Sequence, residues 1–302
     1  FGLDWAMAVV VALAMMRKVG QRCSAFIADL ELDGAVCHNA GVLVAARRLR
    51  RRGFERVFVP AADAVEAALV GGLEVIPCAN LAGVIAHITR EHPIEPQATT
   101  HPAFESESEP AEHDLNEVHG QEEARRALEV AAAGGHHLLL SGPPGAGKTM
   151  LARCLPGILP PLGLEEALEV AQVRSLLGDL SATKPIDWSR PFRAPHHGVS
   201  MAGLIGGGAG LAQPGEISRA HHGVLFLDEL AEFQTNVLQA LRQPLDSGHL
   251  AITRSGASVT SPARFPLVAA TNPSPLGWPG YGRPPSRCPP PLVTPHPRGR
   301  SG

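Results

Sequence analysis

Three groups of residues in this chain have the types and spacing that phosphate chemistry needs. The first is Gly142-Pro143-Pro144-Gly145-Ala146-Gly147-Lys148-Thr149, which fits the pattern G-x-x-x-x-G-K-[ST]. Its glycines let a backbone close around an anion with no Cβ in the way, so that successive N–H groups can point at it. A lysine in this position supplies a flexible cation to the β- and γ-phosphates, and the hydroxyl beside it supplies one oxygen ligand to Mg²⁺. Lys148 and Thr149 take those roles here, and the stretch as a whole reads as a site for ATP. The second group is Asp228-Glu229, at the end of the apolar run Val224-Leu225-Phe226-Leu227. Asp228 is expected to hold Mg²⁺ through water, and Glu229 to polarise the attacking water as general base. The third is Asn272, which follows Leu267-Val268-Ala269-Ala270-Thr271. An Asn there can orient the attacking water and sense the γ-phosphate, or it can cap a turn before Pro273.

Those groups can cooperate only if strands bring them to one edge of a sheet. The short apolar run from His137 to Ser141 suits a buried parallel strand, and Met150 to Leu155 can begin a helix. Strand, glycine loop and helix in that order aim loop N–H groups and the positive end of the helix dipole at an anion. The run ending in Asp228-Glu229 describes a buried strand that delivers two acids at its C-terminal edge, where α/β sheets bind ligands. A helix is expected from Glu122 to Ala133, with Ala124, Leu128 and Ala131 on one face.

The 302 residues suggest two domains, and a hydrophobic fraction of 44% with 18% charged residues is a globular composition. A net charge of −3 leaves no overall electrostatic footprint for nucleic acid or an anionic membrane, although local patches remain open to such use. Five cysteines without a C-x-x-C pair favour reduced thiols in the cytoplasm over disulfides or a zinc site. The apolar run Trp5–Met16, stopped by Arg17-Lys18, is too short to span a bilayer and lacks the basic flank of a signal peptide, so a buried helix is expected and no membrane partner. Because the chain opens at Phe1 inside that run, its N-terminus is expected to be missing.

Residues 1–91 alternate helices and strands. Ala25–Leu30 and Ala35–His38 flank Asp33-Gly34 as a hairpin would, and helices are expected at Val44–Arg52, Ala61–Leu69 and Leu81–Arg90. Strands are expected at Arg56–Pro60 and Glu74–Cys78. Residues 92–113 are rich in Pro, Glu, Ser and Thr with almost no large apolar residue, and read as a mobile linker holding the domain boundary. Arg47, Arg48, Arg50, Arg51 and Arg52 form either a solvated helix face or a contact for nucleic acid. The pairs His136-His137, His196-His197 and His221-His222 match no zinc spacing, so packing is the expectation for them rather than metal. His196 and His197, close to Arg193, could also contribute to a subunit interface.

Two resemblances follow from these residues. The order of elements in residues 1–91, with Gly41, Gly53 and Val59-Pro60, resembles the Lon-protease-like (S5-like) domain. That domain works by a Ser–Lys dyad. Here the lysine position falls on Leu43 and no Ser stands in Gly2–Asp4, so the resemblance implies a Lon-like fold without protease chemistry. The three phosphate elements look like an AAA+ ATPase. Arg190-Pro191-Phe192-Arg193-Ala194-Pro195-His196-His197, Leu204-Ile205-Gly206-Gly207-Gly208, Gln213-Pro214-Gly215-Glu216-Ile217-Ser218, Ala220-His221-His222-Gly223 and Gly134-Gly135-His136-His137 closely resemble the magnesium-chelatase-like family of the YifB/ComM type.

The resemblance implies an α/β fold: an inactive Lon-like N-terminal domain (1–91), a linker (92–113) and an AAA+ P-loop module with a parallel sheet (114–275). It also implies two insertions directed at a ring pore, around Gly206–Gly210 and in a hairpin of Leu250–Arg254, Ser255-Gly256 and Ala257–Thr260. Arg254, at the hairpin tip, is a candidate DNA contact or an ordinary surface arginine. Residues 276–302 are Pro- and Gly-rich where the family continues into a helical lid, so the lid is expected to be missing, as after a frame change or premature end. The implied function is an ATP- and Mg²⁺-dependent homo-hexameric motor acting on single-stranded or branched DNA, in branch migration during natural transformation. The alternatives are a magnesium-chelatase-type ATPase subunit that remodels a partner enzyme, and a nucleotide-binding remnant with impaired hydrolysis.

Overall fold

The computed structural model describes residues 24–99, 113–180, 185–207, 213–254 and 257–272, without the side chains of 252–259. The expected helix Trp5–Met16, the glycine tip Gly208–Gly210, the hairpin tip Ser255-Gly256, the side chain of Arg254 and the tail 276–302 lie outside the described residues. The chain forms two compact units, divided between Ser106 and Glu107, Glu166 and Ala167, and Asp187 and Trp188. Unit 1 takes the N-terminal part and the segment Ala167–Asp187, and unit 2 takes the rest.

Unit 1 is built on three parallel strands, β1 (Ser24–Phe26), β4 (Arg56–Pro60) and β5 (Glu74–Cys78), in the order β1-β4-β5. Asp33-Gly34 turns an antiparallel ribbon of β2 (Asp29–Leu30) and β3 (Val36–Cys37), with the Asp33 carboxylate accepting the Ala35 N–H at 2.9 Å and Gly34 at φ 87°. Helix α1 (Val42–Arg51) buries Val42, Leu43 and Ala46 and leaves its arginine-rich end exposed. Short helix α2 (Ala64–Ala67) follows β4, and α3 (Leu81–Thr89) starts where Asn80 Oδ1 accepts the Gly83 N–H at 2.8 Å. Phe58, Ile76, Cys78, Val84 and Ile88 form the core, and Phe26 stacks on Phe58 at 4.4 Å.

The start of α1 is tied down by two buried carboxylates. Glu66 accepts the Leu43 N–H at 2.8 Å and the Ser175 hydroxyl at 2.5 Å, while Asp63 pairs with His38 and accepts the Asn39 N–H at 3.0 Å. Burial of such groups is tolerable because each finds partners. Leu43, at the position compared above with a lysine, is fully buried. The stretch that begins at His92 starts as part of unit 1. Ile94 packs on its core and donates its N–H to His87 Nδ1 at 2.8 Å, and the Gln97 N–H reaches the Val75 carbonyl at 2.8 Å. Polar composition hid this, because one isoleucine suffices as the anchor.

Unit 2 carries four parallel strands in the order β6-β13-β10-β7: β6 (Leu138–Ser141), β7 (Phe192–Arg193), β10 (Val224–Leu227) and β13 (Leu267–Thr271). Alternate residues of β10 feed two cores. Val224 and Phe226 meet Leu128, Leu151 and Leu155 from α4 (Glu122–Gly134) and α5 (Lys148–Ile158). Leu225 and Leu227 meet Leu204, Ile217, Val237 and Leu241 from the other side. A strand covered on both faces reads as an unbroken apolar run, which is the pattern seen in the sequence.

Helix α6 (Leu164–Leu177) begins in unit 2 and continues into unit 1. Beyond β7, α7 (Met201–Ile205) ends at the paired strands β8 (Gly206–Gly207) and β9 (Gln213–Pro214), and α8 (Glu216–Arg219) leads to β10. After β10 come α9 (Thr235–Ala240), α10 (Arg242–Ser247) and the hairpin of β11 (His249–Arg254) with β12 (Ala257–Pro262), in which Arg254 pairs with Ala257. The meeting of β7 with β10 depends on Gly223. A Cβ there would lie 2.0 Å from the Pro191 carbonyl oxygen, which accepts the Val224 N–H at 2.7 Å. No helix among the described residues is long and apolar enough to cross a membrane.

Candidate nucleotide site

The strand order of unit 2 sets β13 between β6 and β10, and so sets the end of β13 between the phosphate loop and the acidic pair. The loop leaves β6 with the Gly142 N–H on the Thr271 carbonyl at 3.3 Å. Gly145 and Gly147 both adopt φ 79°, a left-handed conformation that costs a side-chain-bearing residue about 1–2 kcal/mol, and Gly147 caps the start of α5. The loop is braced from outside by Gln121, itself at φ 51°, whose side-chain amide donates to the Ala146 carbonyl at 2.6 Å. Sequence reasoning missed Gln121. A Gly-Gln pair just ahead of the first helix is a weak signal, and only the contact reveals it.

Half-buried Lys148 directs its ammonium at three oxygens: the Gly142 carbonyl at 2.7 Å, the Pro143 carbonyl at 3.0 Å and Asn272 Oδ1 at 3.0 Å. The Thr149 hydroxyl donates to Asp228 Oδ2 at 2.8 Å, and Asp228 Oδ1 accepts the Glu229 N–H at 2.9 Å. Lys148, Thr149, Asp228, Glu229 and Asn272 therefore stand together, though up to 124 positions separate partners in the chain. Thr149 and Asp228 offer only hard oxygen donors, a set that fits Mg²⁺ and suits softer metals poorly.

Glu229 has φ 51°, a left-handed conformation uncommon outside glycine, and its side chain is 54% exposed. Its carboxylate lies 3.3 Å from His197 Nδ1, and the His197 ring lies tilted against His196 at 3.9 Å and meets Phe233 edge-on at 6.4 Å. The partner found for His197 is thus the acid of the site. Arg193 forms a two-pronged pair with Glu216 at 2.7 and 2.8 Å.

Three more of the paired histidines accept backbone N–H groups. His221 Nδ1 accepts the Arg264 N–H at 3.1 Å, His137 Nδ1 accepts the Leu267 N–H at 3.0 Å, and His196 Nδ1 accepts the Gly198 N–H at 3.1 Å. Arg190 donates to the Pro160 and His222 carbonyls at 2.5 and 2.7 Å. Burial pulls its pKa below the ordinary value while nearby Glu166 opposes the shift. Cys154, on α5, is held as a thiol by burial first and by Glu117 and Asp114 after it.

Residues 114–294 match the family described as magnesium chelatase, subunit ChlI. Over 274 residues the chain is 45% identical to an uncharacterized protein of Mycobacterium tuberculosis strain H37Rv, covering 90% of this chain and 54% of that protein. Over 252 residues it is 45% identical to the uncharacterized protein YifB of Escherichia coli K12, covering 83% and 48%. Over 284 residues it is 41% identical to the competence protein ComM of Haemophilus influenzae, covering 92% and 54%. The chain spans about half the length of these curated relatives. With the phosphate loop, the acid-ended strand and the parallel sheet between them in place, the chain belongs to the magnesium-chelatase/ComM–YifB family of AAA+ ATPases.

Proposed function

We propose that this chain is the nucleotide-hydrolysing part of a magnesium-chelatase-type AAA+ motor that uses Mg²⁺ and ATP to remodel a partner protein. The observation that carries the reading is the pair of contacts Thr149 Oγ1–Asp228 Oδ2 at 2.8 Å and Lys148 Nζ–Asn272 Oδ1 at 3.0 Å. Residues from three separate segments meet there with the chemistry that phosphoryl transfer uses. Gly142 to Thr149 would cradle the phosphates, and Lys148 would exchange its carbonyl partners for phosphate oxygens. Thr149 and Asp228 would hold Mg²⁺, which when bound neutralises charge on the phosphates. Glu229 would take a proton from the attacking water, with Asn272 orienting that water. His197, whose Nδ1 lies 3.3 Å from the Glu229 carboxylate, would help to set where that proton is received.

A second reading, a homo-hexameric motor on single-stranded or branched DNA, is favoured by the 41% identity to competence protein ComM. It assigns the β11–β12 hairpin and Arg254 to the DNA. Unit 1 is read as a Lon-like domain without protease chemistry, supported by the full burial of Leu43. The test of the ATPase reading is Glu229→Gln. The variant is expected to keep ATP affinity while turnover falls roughly 10²-fold or more, as for loss of a general base. Near-normal phosphate release would remove Glu229 from the reaction. Added DNA that accelerates phosphate release would favour the second reading over the first.

A further inference from the structure

We infer that the exposed end of α1 is a docking ridge for the phosphate backbone of a nucleic-acid strand. Between residues 24 and 99 the chain has seven arginines and no lysine, and five of the seven fall at 47, 48, 50, 51 and 52. Arg48, Arg50, Arg51 and Arg52 are exposed, and among the described residues no carboxylate pairs with any of the four. Arg56, nearby in sequence, is by contrast neutralised by Glu74 at 2.7 Å. The ridge therefore gathers four exposed arginines without a carboxylate partner among the described residues within five consecutive positions.

Helix stability does not account for the cluster. A helix C-terminus carries about half a negative charge, which one or two cations satisfy. Further like charges three and four positions apart repel, costing a few tenths of a kcal/mol per pair. Arg48 stands at that spacing from both Arg51 and Arg52, about 5–6 Å between Cβ atoms. Arginine is also the cation that binds phosphate oxygens with two parallel donors.

The ridge is held in place. Glu66 and the Ser175 carbonyl accept the Leu43 and Gly41 N–H groups at the other end of α1. Arg50 lies over Gly72 so closely that a Cβ there would come within 2.8 Å of its guanidinium. The apolar face of α1 (Val42, Leu43, Ala46) is buried in unit 1, leaving nothing to insert into a bilayer, so a strand of nucleic acid fits better than a lipid surface.

The inference does not depend on how unit 2 handles nucleotide. The test compares the full chain with Arg48→Ala/Arg51→Ala/Arg52→Ala and with the same three changed to Lys. Binding of a labelled thymidine oligonucleotide of about 30 residues is measured over a KCl series from about 50 to 300 mM. Three lost contacts should reduce the salt slope by about 2 and weaken binding about 100-fold at 0.1 M salt. The lysine variant should keep the slope, and ATP turnover and thermal midpoint should not move in either. An unchanged slope in the alanine variant, or a wild-type chain with no oligonucleotide binding, overturns the ridge. So does loss of binding to phosphatidylserine vesicles with oligonucleotide binding intact. If the alanine variant fails to fold, the single substitution Arg52→Ala, beyond the last turn of α1, should still lower the slope by about 0.7.

Discussion

Replacing Lys148 by Ala isolates the cation of the phosphate loop, and its consequences can be worked from its three contacts. In the structure the ammonium is satisfied by two carbonyls and Asn272 Oδ1 at 2.7–3.0 Å. Bound ATP would replace some of these neutral acceptors with charged phosphate oxygens. The ammonium already carries a charge, so the exchange adds only the attraction between it and a charged acceptor, about 4 kcal/mol at 4 Å and an effective dielectric of 20 and about 1 in water. A middle value of roughly 3 kcal/mol is somewhat more than 100-fold in affinity. The fold should hardly notice, because Pro143 and Asn272 are only partly buried and water can take the place of the ammonium. Fluorescent ATP titration should therefore show at least a 100-fold weaker Kd beside an almost unchanged thermal midpoint. Unchanged affinity would remove Lys148 from the site. A collapse in stability would show instead that its bonds to Gly142, Pro143 and Asn272 hold the loop together, and that their exchange for phosphate has been overvalued.

Gly223→Ala should destabilise unit 2 by about 1–3 kcal/mol or more, because the new Cβ would stand 2.0 Å from the Pro191 carbonyl and force β7 off β10; chemical denaturation reads it, and a wild-type midpoint would mean the strands can part at little cost. Cys78 has its pKa pushed up to about 12 by burial, so its thiol should resist alkylation in the native chain at pH 8 and react on unfolding. The sign for stability follows from that shift. The folded pKa is raised above the ordinary 9.0, so the contribution of the neutral thiol is complete below pH 9 and is lost as pH rises toward 12. Cys78→Ala should flatten the alkaline fall in stability relative to wild type, and parallel curves would refute the assignment.

Local chemistry determined much of this protein from sequence. The phosphate-loop motif was legible because its glycines, lysine and threonine stand within eight consecutive positions, on one strand–loop–helix turn. Strands at Arg56–Pro60 and Glu74–Cys78 and the turn at Asp33-Gly34 were legible for a similar reason: a buried run or a left-handed glycine marks itself. Helix α6 was not. Its buried residues Ala167, Leu168, Val170, Ala171, Val173 and Ser175 lie around the helix, so no one-sided apolar stripe announces it, and its passage into unit 1 is a matter of packing. Nor could sequence place Asn272 against Lys148, Gln121 against the loop, or His197 against Glu229. Those meetings depend on β13 pairing between β6 and β10 and on β7 closing beside them, and strand order depends on long-range pairing that no local pattern records. The chain's own spacing named the groups that can handle a phosphate; only the sheet decided which of them touch.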